Sequence, residues 1–291
     1  MLRGQRAGCD PDRAGRSANR WRALPGGAGG DGRGGEVRVT LRLAYSSLPW
    51  RGRNLEGNLG HLAENGWEGW ETRESLDELG TPARIQRVCA DAGIEIAAVS
   101  GPNVDGKLDS RAQQMCKRRI EFAADCGVGL YMTKGPGHGD NQPSSDGDLD
   151  RVAAVYEDLA AHGDRLGVTV AWHPHVNHFV DSESEWDRFM PRLSRSRLCL
   201  DMAHVVLWGF DPAQAARDHA ARIAYVHLHD GLTRQNTAGD LGDGPMTDYG
   251  EFLRSLEEVG FGGWVVTVSG GTRDPVESMR INRAYLRRLG Y

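Results

Sequence analysis

The stretches that decide the fold are Ala171-Trp-His-Pro-His-Val-Asn-His178, Leu198-Cys-Leu-Asp-Met-Ala-His204 and Tyr225-Val-His-Leu-His-Asp230. Each one begins as a short apolar run and ends in imidazole or carboxylate side chains. Short continuous apolar runs are typical of buried parallel strands, and the carboxyl ends of such strands form the ligand-binding face of an α/β fold. These stretches therefore predict three strands that deliver their side chains to one face, as a metal site or an acid–base site.

The same pattern of strand followed by amphipathic segment continues outward from these stretches. The predicted strands are 39–46, 69–73, 94–100, 129–134, 168–173, 198–201, 223–227 and 264–269, and helical periodicity covers 110–126, 149–166, 212–220, 249–259 and 275–289. Eight such units over about 250 residues are what a (β/α)8 TIM barrel requires. A doubly wound α/β sheet is the alternative, but no Gly-x-Gly-x-x-Gly motif follows the first strand.

Residues 1–36 differ from the rest of the chain, because they are dense in Gly and Arg and show no apolar period before Val37. Such a segment cannot bury enough apolar surface to offset the entropy of ordering. The sequence therefore predicts a disordered N-terminal extension over 1–36 and a single barrel domain over 37–291. The extension is interpreted as a tail, or as the product of a start codon placed too far upstream. The extension also lacks the apolar core of a secretory signal.

The composition limits the partners of this chain. A net charge of −5 gives no indication of binding to nucleic acid or to an anionic membrane, and no apolar run approaches the roughly 20 residues of a membrane span. The five cysteines are irregularly spaced, which suits a reducing compartment. We therefore expect a cytoplasmic protein with a small-molecule ligand, and leave open whether it forms a homo-oligomer or pairs with a partner subunit.

Polar side chains follow the predicted strands at the ends where a barrel has its active site. Glu71, His204, Asp230 and Arg234 are predicted to contact a polar substrate, and Trp50 is predicted to offer an apolar face to a sugar ring. Lys134 could act as a base or bind an oxyanion. The structural alternatives are a polar rim residue for Glu71, a rim ion pair for Lys134 and core packing for Trp50.

An ordered set of motifs resembles a known superfamily. The motifs are Leu200-Asp-Met-Ala-His204, Ala224-Tyr-Val-His-Leu-His-Asp230, Gly242-Asp-Gly-Pro-Met-Thr-Asp-Tyr249 and Gly260-Phe-Gly-Gly-Trp264. In order and spacing they are similar to the sugar phosphate isomerase/epimerase superfamily of xylose isomerase-like TIM barrels. Within it, Trp172-His-Pro-His175 and Ala44-Tyr-Ser-Ser-Leu-Pro-Trp50 most resemble the inosose dehydratases.

The resemblance implies a divalent metal held by Glu, Asp, His and Glu from four strand ends. The Asp matches Asp201 and the His matches His227, whereas the first Glu falls on His173 and the last falls on or near Val268. His173, Asp201 and His227 are therefore the candidate ligands, for Mn²⁺ first and for Co²⁺, Fe²⁺ or Zn²⁺ as alternatives. Because Val268 cannot bind a metal, the alternative interpretation is a polar barrel rim in which these side chains are hydrogen-bonded and hold no metal.

The resemblance also implies a reaction: removal of a proton next to the carbonyl of a sugar or cyclitol, giving isomerisation, epimerisation or dehydration. His175 or His229 would be the base, with Lys134 as the alternative. The missing second Glu removes one of two opposed bases and favours elimination. The alternative function is a sugar-binding barrel that has lost part of its metal site and is non-catalytic or dependent on a partner.

Overall fold

A computed structural model describes residues 40–138, 143–230, 238–244, 248–270 and 273–291. The predicted extension, Val39 at the predicted start of the first strand, and Arg234 lie outside the described residues, so the domain boundary at residue 37 stays a prediction. The strands are β1 Arg42–Ser46, β2 Gly69–Thr72, β3 Glu95–Ser100, β4 Leu130–Lys134, β5 Thr169–His173, β6 Arg197–Asp201, β7 Ile223–Leu228 and β8 Trp264–Thr267.

Helices fill the connections between these strands. They are α1 Leu55–Asn65, α2 Leu76–Leu79, α3 Pro82–Ala92, α4 Arg111–Asp125, α5 Asp146–Leu166, α6 Glu183–Phe189, α7 Met202–Leu207, α8 Pro212–Asp218, α9 Tyr249–Glu258 and α10 Pro275–Arg288, with single 3-10 turns at Met190–Arg192 and Ala220–Arg222. No helix among the described residues is long and apolar enough to cross a membrane.

The eight strands form a closed parallel barrel in sequence order, in which β8 pairs with β1. The prediction of a TIM barrel is thus confirmed, and the doubly wound alternative is wrong. Side-chain caps explain where several helices begin. Thr81, Ser110, Ser182, Asp211 and Asp274 each accept a hydrogen bond from a backbone N–H of the first turn.

The interior of the barrel is built in rows, because alternate residues of each strand point inward. The lower row is small or apolar: Ala44, Gly69, Ala98, Met132, Ala171, Cys199, Tyr225 and Val266. Gly69 has no side chain because a Cβ there would lie 2.6 Å from the ring of Trp264, which fills this level of the barrel. The apolar row closes the barrel below the site.

Two residues further along each strand, the inward position becomes polar in seven of eight cases. This upper row is Ser46, Glu71, Ser100, Lys134, His173, Asp201, His227 and Val268. Its members lie at the carboxyl ends of the strands, on the face where TIM barrels carry their active sites. The fold therefore brings the strand-end residues into one ring, with Val268 as its apolar member.

Candidate metal and acid–base site

Asp201, one member of this ring, contacts four histidines. Its side chain is 3.0 Å from Nε2 of His173 and 3.1 Å from Nε2 of His229. It is also 3.4 Å from Nδ1 of His227 and 3.6 Å from Nε2 of His204. All five side chains are buried. We call these five residues the histidine cluster, in which β5, β6, α7 and β7 converge on one carboxylate.

Burial and mutual contact set the charges within the histidine cluster. Burial alone would raise the pKa of Asp201, but His204, His229 and His173 outweigh it and hold that pKa well below its usual range. Burial lowers the pKa of His204 to about 3. Burial, followed by the charge of His227, also lowers the pKa of His173. At neutral pH the cluster therefore has an ionised Asp201 beside two neutral imidazoles.

A divalent metal fits part of this cluster. Candidate ligand atoms of His173, Asp201 and His204 all lie within 4.8 Å of one another. Nδ1 of His173 and Nδ1 of His204 are buried and have no hydrogen-bond partner among the described residues. Neutral imidazole and carboxylate are suitable ligands for Mn, Fe, Co and Zn. Of the predicted ligands, His173 and Asp201 belong to this triad, and His204, predicted to contact substrate, occupies the third position.

His227, the other predicted ligand, contacts Glu71 instead. Its Nε2 lies 2.6 Å from Oε2 of Glu71, while its Nδ1 faces Asp201. Burial lowers the pKa of His227, but the neighbouring Cys199 sulfur and the Glu71 carboxylate outweigh that effect and raise it well above its usual value. An imidazolium donates from both nitrogens and has no lone pair for a metal. In this arrangement His227 bridges two carboxylates.

Glu71 crosses the barrel interior from β2 and is held by four groups. Oε1 accepts hydrogen bonds from Oγ of Ser46 at 2.8 Å and Nε of Arg73 at 2.7 Å. Oε2 accepts from the hydroxyl of Tyr225 at 3.0 Å, in addition to contacting His227. Burial would raise the pKa of Glu71, but Arg73 and His227 outweigh it and lower the pKa. Glu71 is thus an ionised, fully buried partner of His227.

Sequence reasoning missed the partners Ser46, Arg73 and Tyr225. A signal for Tyr225 was present, because it precedes His227 by two residues and therefore points to the same interior. Val268 is buried directly after β8 and brings no donor atom. The carboxylate nearest to His227 comes from Glu71 on β2, and that of Asp201 is the next.

His175, a predicted base, lies beside the histidine cluster. It follows β5 and is only partly buried, with its ring 4.0 Å from that of His204 and 4.8 Å from that of His178. Nδ1 lies 2.7 Å from the carbonyl oxygen of Val176. Because that oxygen can only accept, Nδ1 carries the proton and Nε2 keeps a lone pair. Burial, followed by the charges of His204 and Lys134, lowers the pKa of His175 and keeps the ring neutral.

His229, the second predicted base, is held between acceptors. Nε2 contacts Asp201, and Nδ1 lies 3.2 Å from the carbonyl oxygen of Asp230. The carboxylate of Asp230 accepts hydrogen bonds from the backbone N–H groups of Gly242 and Gly244 at 3.1 and 2.9 Å. Asp230, predicted to contact substrate, therefore fixes the 238–244 segment above the barrel in this structure.

Lys134 and Trp50 lie in different environments. Lys134 ends β4 beside His173, its register partner on β5, and forms no ion pair among the described residues. Burial, followed by the charge of Arg73, lowers the pKa of Lys134 to about 8. Trp50 is buried, and its ring stacks on Tyr45 with centroids 5.8 Å apart. Lys134 therefore faces the site, whereas Trp50 packs into the core.

Comparison with known proteins places this barrel in a family. Residues 59–289 match the family model described as xylose isomerase-like TIM barrel. The chain is 32% identical over 127 residues to the rhizopine catabolism protein MocC of Rhizobium meliloti, covering 38% of this chain and 39% of that one. It is 26% identical over 161 residues to an inosose dehydratase of Lacticaseibacillus casei, covering 48% and 52%. The chain thus spans about half the length or less of these curated relatives.

A solved structure agrees in fold. The 3-keto-D-glucoside 4-epimerase of E. coli superposes with a TM-score of 0.70 at 18% identity, over 86% of this chain and 100% of that one. By its fold, the protein is a closed eight-stranded parallel barrel, and its histidine–carboxylate cluster lies at the carboxyl ends of the strands. The chain belongs to the xylose isomerase-like TIM barrel family, in agreement with the resemblance found in its motifs.

Proposed function

We propose that this protein is a metal-assisted enzyme that removes the proton next to the carbonyl of a sugar or cyclitol, with inosose dehydratase-like elimination as the outcome. The observation that carries the proposal is the neutral, partly exposed His175, whose Nε2 lone pair is free beside the histidine cluster. A neutral imidazole in contact with a candidate metal triad is suited to general-base catalysis.

Different residues of the chain would bind the metal, remove the proton and orient Asp201. His173, Asp201 and His204 would hold the metal, with Mn²⁺ as the first choice. When bound, such a cation supplies Lewis-acid polarisation of a carbonyl oxygen. His175 takes the proton from the neighbouring carbon through Nε2. The Glu71–His227 pair holds a protonated imidazole against Asp201, so that the Asp201 carboxylate stays ionised and oriented.

Lys134 would provide the acid. With a pKa of about 8, it is mostly protonated at neutral pH yet can release its proton more readily than an ordinary lysine. It lies on β4, next to the strand that leads to His175. A base and an acid from adjacent strands suit elimination, in which one group takes a proton and the other protonates the departing hydroxyl.

Epimerisation by two opposed carboxylates is less well supported. Glu71 is fully engaged with four partners, and Val268 has no donor atom. Neither residue can act as a second base on the opposite face of a substrate. The inosose dehydratase similarity supports the same choice, since that relative is named for a dehydration.

Exchange of solvent deuterium into an inosose, followed by NMR, tests the proposal. Incorporation at the carbon next to the carbonyl, together with formation of a dehydrated product, is the expected result. His175→Ala should slow exchange by about 10²-fold or more. His61→Ala, which removes a half-buried histidine on α1 away from the histidine cluster, is the matched control and should leave the rate unchanged.

One observation favours a second candidate, a barrel that binds a sugar without turning it over: Val268 stands where the resemblance expects a ligand carboxylate. Metal content after purification without chelator separates the two candidates. Near-stoichiometric metal that disappears in Asp201→Asn supports the enzyme. A folded, metal-free protein that binds inosose without exchange would refute the proposal in favour of the second candidate.

A further inference from the structure

A cavity of about 530 Å³ lies beside the histidine cluster, where the loops after β1, β2 and β3 meet α4. Its lining includes five cationic side chains, and we call it the cationic cavity: Arg51, Arg73, Arg118, Arg119 and Lys134. The protein as a whole carries a net charge of −5, so this concentration of positive charge is local.

Acidic side chains compensate these cations only in part: of the five, Arg73 alone has an ion-pair partner among the described residues, namely Glu71. Glu74 is buried, and its Oε2 already accepts hydrogen bonds from the hydroxyls of Ser47 and Thr72. Asp77 is exposed to solvent, which screens its charge. Among the described residues, neither Arg51 nor Arg118 forms an ion pair. The cavity therefore has an excess of positive charge at its wall.

Arg119 is the most informative of the five. It is only 5% exposed, and its one hydrogen bond within the described structure runs from Nη1 to the carbonyl oxygen of Glu74 at 2.8 Å. Nε and Nη2 are buried and have no acceptor among the described residues. A buried guanidinium without an ion pair is costly. An anion in the adjoining space would offset that cost through its charge.

The cationic cavity joins the proposed catalytic site through two residues. Lys134 pairs in register with His173 on the neighbouring strand. Arg73 donates from Nε to Glu71, which in turn contacts His227. A ligand that reaches from the histidine cluster past Lys134 would therefore place its far end among the arginines.

We propose that the cationic cavity binds an oxyanion group of the substrate, so that the substrate is an acidic or phosphorylated sugar or cyclitol. This proposal rests on the proposed function for the reacting end of the substrate, but the binding of the anion can be measured without turnover. The planar guanidinium forks of arginine match both carboxylate and phosphate oxygens. The shared requirement is an oxyanion, and experiment distinguishes the two sources.

Titration calorimetry with malonate and with inorganic phosphate, at low ionic strength, tests the cavity itself. One of these probes should bind to the wild-type protein, and the better one identifies carboxylate or phosphate as the natural group. The double variant Arg51→Ala/Arg118→Ala should weaken that binding about tenfold or more, because each removes a charge-assisted contact. Arg87→Ala, an exposed arginine on α3 outside the lining, is the charge-matched control and should bind within about twofold of wild type.

The outcomes separate this proposal from the proposed function. Suppose that the protein is inactive on every keto-sugar but binds an anion, and that the double variant loses this binding. That result would support anion binding by the cationic cavity and refute the proposed reaction. Turnover of a neutral inosose with no measurable binding of either probe overturns the cavity and leaves the reaction standing. Equal loss of binding in Arg87→Ala and in the double variant would also overturn it, since the effect would then be one of overall charge.

Discussion

The histidine cluster and the cationic cavity lie next to each other on one face of the barrel, yet they differ in whether their charged groups have partners. In the cluster and its neighbour Glu71, each ionised carboxylate touches partners: Asp201 contacts four imidazoles, and Glu71 is held by Ser46, Arg73, Tyr225 and His227. In the cavity, Arg119 has two buried donors without acceptors, and Arg51 and Arg118 have no ion pair among the described residues.

The difference indicates a division of labour. A buried network whose charges are already paired is rigid, and it holds its protonation states against small changes of pH. A wall in which most cations have no ion-pair partner among the described residues instead attracts a ligand that brings the missing charge. The paired network of the cluster suits catalysis, and the cationic wall of the cavity suits recognition of a ligand.

Replacement of Asp201 by Asn should cause the largest loss, because it removes the charge on which four histidines converge. We expect turnover to fall by about 10³-fold or more and bound metal to disappear, since a ligand carboxylate matters at least as much as the supporting groups around a metal. Metal analysis and kinetics measure both effects. Asn can still cap α7, as Asp201 does, so the helix start is preserved.

Asp211→Asn is the control for this variant, since Asp211 caps α8 in the same manner but lies outside the histidine cluster. It should keep full activity. If Asp201→Asn retains stoichiometric metal and wild-type turnover, the central role of Asp201 is refuted.

Glu71→Gln should strongly destabilise the fold, because it leaves protonated His227 buried without its nearest anion. Breaking a buried pair from one side costs about 3–5 kcal/mol in free energy of unfolding, which denaturant titration measures. Glu95→Gln removes an exposed partner of Arg42 and should change stability by less than about 1 kcal/mol. Equal effects of the two substitutions would show that the Glu71 pair is no more important than a surface ion pair.

The effect of Glu71→Gln should also depend on pH in a defined direction. The lowered pKa of Glu71 stabilises the fold above its ordinary value of 4.5, and this contribution is lost as pH falls through the folded value. The raised pKa of His227 stabilises the fold below its ordinary value of 6.5, and this contribution is lost as pH rises through the folded value. The stability difference between wild type and variant should therefore peak between pH 4.5 and 6.5. A difference that is flat across pH 3 to 9 would contradict the pairing.

Lys134→Met should reduce turnover by about 10²-fold, the lower range for a lost acid or base, without destabilising the fold, because it removes a partly buried cation that has no ion pair. In the wild-type protein the rate should fall above pH 8, where Lys134 loses its proton. Lys134→Arg should remove that fall, since arginine stays protonated. Lys117→Met, on the outer face of α4, is the control. An unchanged alkaline limb in Lys134→Arg would exclude Lys134 as the acid.

Removal of residues 1–35 should have the smallest effect on either region. A chain that begins at Glu36 is expected to keep its thermal midpoint, its metal content and its affinity for malonate or phosphate, because the removed segment shows no apolar period with which to pack on the barrel. A fall of several degrees in the midpoint would instead place the extension within the folded unit.

Much of the fold could be predicted from the sequence, because strand and helix periods are local properties. The apolar runs predicted all eight strands, and the five segments of helical periodicity correspond to α4, α5, α8, α9 and α10. Strand ends were displaced by one to three residues: β8, for example, ends at Thr267 and not at residue 269. Pairing with neighbouring strands, which sets such ends, is not encoded locally.

The candidate site could be predicted only in part. The histidines and Asp201 follow strands five to seven closely in sequence, so their convergence was readable from motif order. The pairing of Glu71 with His227 joins residues 156 positions apart and depends on closure of the barrel. No local pattern could assign His227 to a carboxylate and His204 to the triad with His173 and Asp201.

The sequence by itself determined the number of strand–helix units, the alternation that points every second strand residue inward, and the polar chemistry of the strand ends, since each depends on residues close together in the chain. Only the tertiary structure decided which charges are paired. It sends Glu71 across the barrel to His227, and it leaves Arg119, from the middle of α4, unpaired against a cavity formed by three separate loops. Charge compensation depends on distances of a few ångströms in space, and those distances exist only after the barrel has closed.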